Sequence, residues 1–171
     1  MTAQSIVRLA GPADYDQVWR LLMLAFKENA QFSLSHNKVH WFIQRALFPD
    51  RIQMSDTGPR CVIGVIGDHN LLEGIAFLSL GSFWYTDDRH IEEFIVFVDP
   101  TCRKSFHARA LMGWMKGQSD AIGLPLLTGV ISNVRTEAKV RLYERMVPKI
   151  GAFFLYKPEQ AVRASSSAAV A

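Results

Sequence analysis

Residues 98–111, VDPTCRKSFHARAL, carry the groups best placed to do chemistry. An apolar strand passes there through a proline turn into a basic helix start. The first N–H groups of a helix have no intrahelical acceptor, and the positive end of its dipole attracts an anion. Arg103, Lys104 and His107 would add charge to such a site, and Ser105 a hydroxyl donor. The stretch lacks the glycine that phosphate-binding turns usually contain, so it predicts either a glycine-free anion site or an ordinary strand-to-helix turn.

Hydrophobic periodicity predicts the elements that must position this turn. The predicted strands span 5–10, 60–68, 71–81, 90–99, 125–132 and 151–157, and the predicted helices span 11–29, 35–50, 103–123 and 134–147. Strand 90–99 is apolar on both faces, which is typical of a central strand covered by helices. The order β-α-α-β-β-β-α-β-α-β indicates an α/β fold, with a mixed, largely antiparallel central sheet flanked by helices on both faces.

Length and composition favour one globular domain, since the chain has 171 residues, of which 49% are hydrophobic. We expect this domain to span residues 1–162 and a disordered, serine- and alanine-rich tail to span residues 163–171. The apolar runs are too short to cross a bilayer, and we expect no secretory signal. Cys61 and Cys102 lie far apart in sequence, which favours reduced thiols and a cytoplasmic location.

The net charge of +3 is unevenly distributed along the chain. Residues 1–100 contain 8 Lys/Arg and 12 Asp/Glu, whereas residues 101–171 contain 11 and 4. An acidic first part suits a cationic acceptor, and a basic second part suits an anionic cofactor. The basic residues are dispersed rather than interleaved with aromatic ones, so we expect no nucleic-acid partner.

The turn and the order of elements together resemble the GNAT superfamily of acyl-CoA N-acyltransferases. That family carries V-x-P-x-x-R/Q-x-x-G-x-G/A between its fourth strand and its third helix. Here Val98, Pro100, Arg103 and Ala108 match the motif, and Phe106 replaces its first glycine. The form R-[GK]-S-x-x-A is similar to relatives carried by bacteriophages. The resemblance covers most of the chain and includes the later segments GVISN, RLYERM and GAFFLYK.

This resemblance implies acetyl-CoA as co-substrate and no metal. It implies that backbone N–H groups of Phe97 and Val98 hold the pantetheine and the thioester, and that the basic turn holds the pyrophosphate. The expected cofactor-binding residues of the turn are Arg103, Lys104, Ser105, Phe106, His107 and Ala108. Asn133 would add a hydrogen bond to the cofactor, with capping of the next helix as the alternative.

By the same resemblance, a carboxylate on the fourth strand deprotonates the acceptor ammonium, and a tyrosine protonates the leaving thiolate. Strict alternation along the strand places Glu92 on one face with Val96 and Glu93 on the other. Glu92 is therefore the expected base and Glu93 the reserve, with a solvated carboxylate as the alternative for both. Tyr143 is the expected general acid, the alternative being an aromatic residue packed on an amphipathic helix.

The loop before the fourth strand holds aromatic and acidic residues that could line an acceptor pocket. These residues are Trp84, Tyr85, Asp87 and Asp88, with an exposed hairpin loop as the alternative. His36 and His40 lie four apart on a helix but have no third ligand at metal-binding spacing. Cys102 lacks a supporting order of His and Asp, so we expect no thiol nucleophile.

The sequence thus predicts an N-acetyltransferase that moves an acetyl group from acetyl-CoA to a primary amine by direct attack. The acceptor would be a small molecule or a protein, and a homodimer is left open. The alternative is a catalytically degenerate protein of phage type, which keeps the fold and binds a host or virion protein, as the glycine-free turn would favour. A phage-encoded protein would act in the host cytoplasm, and no membrane partner is expected.

Overall fold

The computed structural model describes residues 7–29, 31–52, 57–132 and 134–156, so the tail predicted at 163–171 lies outside it. The strands are β1 Arg8–Leu9, β2 Cys61–Gly67, β3 Leu72–Ser82, β4 Arg89–Val98 and β5 Leu126–Leu127. The helices are α1 Tyr15–Asn29, α2 His36–Leu47, α3 His107–Ile122 and α4 Thr136–Glu144, with 3-10 turns at Pro12–Asp14, Pro49–Arg51 and Pro100–Cys102. None of the helices in these described ranges is long and apolar enough to span a membrane.

The strands form one sheet in the order β1-β2-β3-β4-β5. Neighbouring strands run antiparallel except β4 and β5, which are parallel. β2 and β3, predicted as strands 60–68 and 71–81, form a hairpin in which Gly67 takes a φ of 106° that favours glycine. The Asp68 carboxylate accepts the N–H groups of Asn70 and Leu71 within the turn. The mixed, largely antiparallel sheet confirms the predicted fold class.

Helices cover both faces of the sheet, so the core has two halves. On one face α1 and α2 bury Leu21 and Ile43 against the sheet. On the other face α3 buries Leu111. β4 contributes to both halves, with Phe97 in the first and Ile91 in the second. β4 is therefore covered on both faces, as its apolar residues predicted, although β3 and not β4 is the middle strand of the five.

Local sequence signals account for two of the helix ends. Ser35 precedes α2, and its hydroxyl accepts the N–H of Lys38, which is the usual role of an N-cap serine. α3 ends at Ile122, where Gly123 follows with a φ of 67°. This left-handed stop confirms the helix end predicted at Gly123.

The strand predicted at residues 151–157 is wrong as far as it is described, because residues 151–156 form no strand and are exposed. Apolar residues alone do not make a strand, since its backbone groups need a neighbouring strand with which to pair. β5 at the edge of the sheet is shorter than the predicted 125–132 and offers only two residues. In this segment Phe154 is 94% exposed and Phe153 75% exposed, and the Phe153 ring lies against Gly129.

Asp14 ties β1, the first 3-10 turn and the β2–β3 turn together. Its side chain is fully buried, and its carboxylate accepts two hydrogen bonds from Arg8 at 2.7 and 2.8 Å and one from the Gly11 N–H at 2.8 Å. The His69 ring also contacts it at 2.7 Å. Burial alone would raise the pKa of Asp14, but the hydrogen bonds from Arg8, Gly11 and His69 hold that pKa well below its usual range.

Asp14→Asn should lower the free energy of unfolding by about 3 kcal/mol near neutral pH, because it breaks a buried, hydrogen-bonded ion pair. The folded-state pKa is lowered, so the carboxylate's contribution is present above the unfolded pKa and is lost as the pH falls through the folded one. The loss in free energy of unfolding caused by Asp14→Asn should therefore be smaller at acidic pH. Urea unfolding at several pH values measures this, and Asp16→Asn, at an exposed site on α1, should cost less than about 0.5 kcal/mol. Equal losses in both variants would contradict the prediction.

Candidate active site

β4 contains a β-bulge near its middle. Phe77 of β3 pairs with Ile95, and Leu78 pairs with Glu93, which leaves Phe94 as an extra residue. A bulge of this kind shifts the alternation of side chains along its strand. Residues beyond the bulge therefore lie on the opposite face of the sheet from the one that an unbroken strand would give them.

The bulge gives Glu93, rather than Glu92, the interior position. Ile91 and Val96 pack in the same half of the core, although five residues separate them. Glu93 follows Ile91 by two residues and lies on that face, where it meets Tyr143 of α4. Glu92 is exposed. The strict alternation assumed from the sequence is therefore wrong for β4, and the geometry favours the reserve residue.

Glu93 and Tyr143 form a partly buried pair, in which the Tyr143 hydroxyl donates a hydrogen bond of 2.7 Å to Glu93 Oε1. Burial raises the pKa of Glu93 to about 7, although the Tyr143 hydroxyl and the nearby N–H groups of Gly129 and Val96 lower it. Oε2 is buried, and none of the described groups hydrogen-bonds to it. Burial, followed by the charge of Glu93, raises the pKa of Tyr143 well above its usual value. Near neutral pH, the pair thus combines a carboxylate that can take up a proton with a phenol that keeps its own.

Two cavities meet at this pair. The larger cavity, of about 470 Å³, lies between the end of α1, β4 and the segment after β5, and both Glu92 and Glu93 line it. The smaller cavity, of about 200 Å³, lies between the end of β4, the basic turn and α4. Val96, Lys139 and Tyr143 line both cavities. Molecules bound in the two cavities could therefore meet beside the Tyr143 hydroxyl.

Much of the predicted cofactor site borders the smaller cavity. The predicted residues that line it are Phe97, Val98, Arg103, Ser105 and Ala108. The Asp99 N–H donates to the Glu73 carbonyl of β3. Because successive residues of a strand direct their N–H groups to opposite edges, the Val98 N–H faces the other edge of β4. β5 pairs only with the first part of β4, so none of the described strands covers the Val98 N–H there. The Phe97 N–H, which was also expected to hold the cofactor, faces β3 like that of Asp99, so only the Val98 N–H of the two is directed away from β3.

Arg103 is held in place by contacts from two elements, α1 and β4. Its guanidinium donates to the Glu28 carboxylate at 2.6 and 2.7 Å and to the Val98 carbonyl at 3.3 Å. It also lies 5.3 Å from the centre of the Phe97 ring. Glu28 comes from α1, and no motif in the sequence pointed to it. Arg103 is thus oriented before any ligand binds, and Glu28 offsets part of its charge.

The basic turn forms without glycine because Phe106, which replaces it, needs no positive φ. Phe106 precedes α3 with a φ of −83° and is 82% exposed. The Ser105 hydroxyl accepts the His107 N–H at 3.3 Å and donates to the Cys102 carbonyl at 2.6 Å. Ser105 therefore stabilises the turn itself as well as lining the smaller cavity.

Other residues predicted to bind the cofactor are placed differently. Lys104, Phe106 and His107 do not line the smaller cavity, and Asn133 lies outside the described residues. Lys104 is exposed, so it can contribute charge near the turn but no buried contact.

One group among the described residues has the geometry to hold a metal ion. The ligand atoms of Glu73, Cys102 and His107 lie within 4.8 Å of one another. Carboxylate, thiolate and imidazole are all ligands that Zn²⁺ accepts. The His107 ring already contacts the Glu73 carboxylate at 2.5 Å, so these two groups satisfy each other without an ion.

The residues predicted for an acceptor pocket, Trp84, Tyr85, Asp87 and Asp88, line neither cavity. They lie in the loop between β3 and β4, where Trp84 is 95% exposed and Tyr85 stacks on Phe83. The larger cavity lies beside residues 92–96 instead, further along β4. The loop is therefore close to the start of β4 in sequence but does not reach the cavity.

Lys139 lines both cavities, although the sequence analysis did not single it out. Its Nζ donates to Ser132 Oγ at 2.6 Å and to Asn29 Oδ1 at 3.3 Å. Burial, followed by the charge of Arg103, lowers the pKa of Lys139. Lys139 precedes Tyr143 by four residues on α4, which places both on one helix face. That spacing is the signal that could have identified it.

Comparison with known proteins gives a clear result for the fold alone. No protein-family model and no curated protein matches the chain. An aminoglycoside acetyltransferase, meta-AAC0020 from an uncultured soil metagenomic sample, superposes with a TM-score of 0.61 at 12% identity, covering 90% of this chain and 95% of its own. A ribosomal-protein-alanine N-acetyltransferase from Brucella melitensis biovar Abortus 2308 gives 0.60 at 13% identity, covering 89% and 98%. AAC(6')-Iy, solved with the bisubstrate analogue CoA-S-monomethyl-acetylneamine, gives 0.60 at 12% identity, covering 90% and 97%. The chain therefore has the fold of the GNAT acetyltransferases.

Proposed function

We propose that the protein transfers an acetyl group from acetyl-CoA to a primary amine, with Glu93 as the general base and Tyr143 as the general acid. The observation that carries this proposal is the hydrogen bond between the Tyr143 hydroxyl and the partly buried Glu93 carboxylate, at the junction of the two cavities. This position lets one pair of residues act on both reactants.

The larger cavity would hold the acceptor. An amine attacks only as the free base, so its ammonium form must first lose a proton. Glu93 suits this step because its pKa of about 7 is close to the working pH, where general bases are most effective. Glu92, which also lines the cavity but is exposed, would attract the cation towards it.

The smaller cavity would hold the thioester end of acetyl-CoA, and the basic turn its pyrophosphate. The Val98 N–H and the Arg103 guanidinium are donors that fit these groups. As the amine nitrogen bonds to the acetyl carbon, the carbon–sulfur bond breaks and the thiolate needs a proton. Tyr143 retains its proton near neutral pH and can donate it there once its hydroxyl releases Glu93. The attacking nitrogen carries a positive charge once it has bonded, and the second proton that it loses returns to the Tyr143 oxygen. The CoA analogue bound to AAC(6')-Iy, which shares the fold, supports this assignment.

Acetyl-CoA should stabilise the folded protein. A ligand at a hundred times its dissociation constant adds about 2.7 kcal/mol to the free energy of unfolding, which thermal unfolding with and without acetyl-CoA detects. No shift at a concentration of about 1 mM would favour the alternative that the protein keeps the fold but binds a protein partner instead.

Arg103→Ala should weaken acetyl-CoA binding by about 1–3 kcal/mol in calorimetric titration, since it removes a charge-assisted hydrogen-bond donor. Glu28→Gln is the matched variant: it removes the other half of the same ion pair but leaves the cation, so affinity should hold or rise. Equal weakening in both variants would mean that the pair supports the fold rather than the cofactor.

A further inference from the structure

The walls of the larger cavity are rich in aromatic side chains. The phenylalanines that line it are Phe26, Phe32, Phe94 and Phe153. Aliphatic side chains such as Ile95 and Leu127 add to the apolar wall. The volume of about 470 Å³ is that of a small-molecule site. Because apolar burial stabilises a complex in proportion to the area removed from water, these walls favour a ligand with an apolar body.

Charged side chains are scarce in this cavity. Among the described residues, those that line it are Glu92, Glu93 and Lys139. Glu93 lies partly buried at the junction beside Tyr143, where an incoming ammonium would lose its proton. Lys139 lies at the same junction, and two hydrogen bonds fix its ammonium group. The cavity thus offers one carboxylate at the junction and a second, exposed one, Glu92, and it already contains one cation.

We infer that the acceptor is a monoamine with an aromatic or alkyl body, an inference that rests on the proposed acetyl transfer for its chemistry. The single ammonium group of such a molecule would meet Glu93, and its body would pack against the phenyl rings. A polyamine or an aminoglycoside would bring further ammonium groups close to Lys139. No third carboxylate among the described lining residues would pair with them, and an unpaired charge in an apolar cavity is costly. The cavity therefore selects by attracting an apolar body and by rejecting extra charge.

Initial rates of CoA release by the full chain test this selection. The monoamines 2-phenylethylamine and hexylamine are compared with spermidine and with sisomicin, the aminoglycoside bound by meta-AAC0020. We expect kcat/KM to be about ten- to a hundredfold higher for the monoamines, which is the range by which a buried apolar group separates substrates. An equal or higher kcat/KM for spermidine or sisomicin would overturn the inference and leave the proposed transfer standing.

Binding is measured separately from turnover, by thermal unfolding in the presence of CoA. We expect 2-phenylethylamine to raise Tm and spermidine at the same concentration to leave it unchanged. If 2-phenylethylamine binds but no amine is acetylated, the proposed function fails while the inferred ligand class is supported. If 2-phenylethylamine neither binds nor reacts, the inference is wrong.

Neighbouring phenylalanines give a matched pair of variants for the apolar wall. Phe153→Ser should raise KM for 2-phenylethylamine by about tenfold, because Phe153 lines the cavity and lies against Gly129. Phe154→Ser should leave KM unchanged, because Phe154 lies outside the lining, although both side chains are largely exposed. Equal KM values in the two variants would argue against an apolar acceptor body.

Lys139→Gln tests the rejection of charge. The ratio of kcat/KM for spermidine to that for 2-phenylethylamine should rise by about tenfold, because a like charge disfavours a second ammonium nearby. The ratio is taken within one variant, so any change in acetyl-CoA binding cancels. An unchanged ratio would contradict the role given to Lys139.

Discussion

Tyr143→Phe should lower the rate of acetyl transfer by about ten- to a thousandfold while it keeps most of the affinity for acetyl-CoA. The change removes one oxygen, so the packing of α4 against the core is preserved. It removes the proton donor for the leaving thiolate, and general acid catalysis commonly contributes about 10²–10⁴-fold. Single-turnover rates and calorimetric affinity, measured on the same sample, separate loss of chemistry from loss of binding.

The pH dependence of Tyr143→Phe distinguishes a catalytic from a structural role. The Tyr143 hydroxyl lowers the pKa of Glu93, so its removal should raise that pKa above 7 and move the acid limb of kcat/KM to higher pH. Tyr156→Phe is the control, since Tyr156 is exposed and lines neither cavity. An unchanged rate of acetyl transfer in the Tyr143 variant, with an amine that the protein acetylates, would contradict the assignment of Tyr143 as the general acid.

Most of the fold could be predicted because the signals that define it are local. Helical and strand periodicity, together with the glycine stop at Gly123, predicted most of the order of elements and the burial of β4 on both faces. The final strand could not be predicted in the same way, because pairing depends on a neighbour and β5 is only two residues long. An apolar segment without a partner strand has the same sequence pattern as a strand.

The site was harder to predict than the fold, because its decisive features are not local. The basic turn was identified from its residues, and Arg103 and Ala108 do line the smaller cavity. The choice between the two glutamates depended on the extra residue at Phe94, and alternation along one strand cannot reveal a bulge that arises from pairing with another. The contact of Glu28 with Arg103 likewise joins α1 to the turn after β4.

Glu93→Gln should remove the base and lower kcat/KM by about 10²–10⁴-fold near neutral pH. In the unmodified protein, kcat/KM should rise with pH through about 7, because Glu93 must lose its proton before it can accept one from the ammonium. The variant should lose this rise of kcat/KM with pH. Its kcat/KM should recover partly at high pH, where free amine is already present. Glu92→Gln is the matched control, since Glu92 is the neighbouring glutamate and remains exposed. The Glu92→Gln variant should retain the rise of kcat/KM with pH. If this variant lost that rise instead, Glu92 would be the base.

The same Glu93→Gln substitution should make the folded protein more stable at a pH of about 8, by about 2–3 kcal/mol. Burial raises the folded-state pKa of Glu93 from 4.5 to about 7, so the folded state holds this proton more tightly than the unfolded state does. Below the unfolded-state pKa the Glu93 carboxyl group therefore does not lower the free energy of unfolding. Its destabilising effect grows as the pH rises from 4.5 to about 7, and it is complete above the folded-state pKa. A glutamine carries no charge, so the gain should appear in urea unfolding at a pH of about 8 and vanish near 4. Lower activity together with higher stability is expected when a protein keeps its general base in an environment that suits catalysis but destabilises the charged carboxylate. A variant that lost both activity and stability at the higher pH would instead show that the Glu93 carboxylate is there to hold α4 on the sheet.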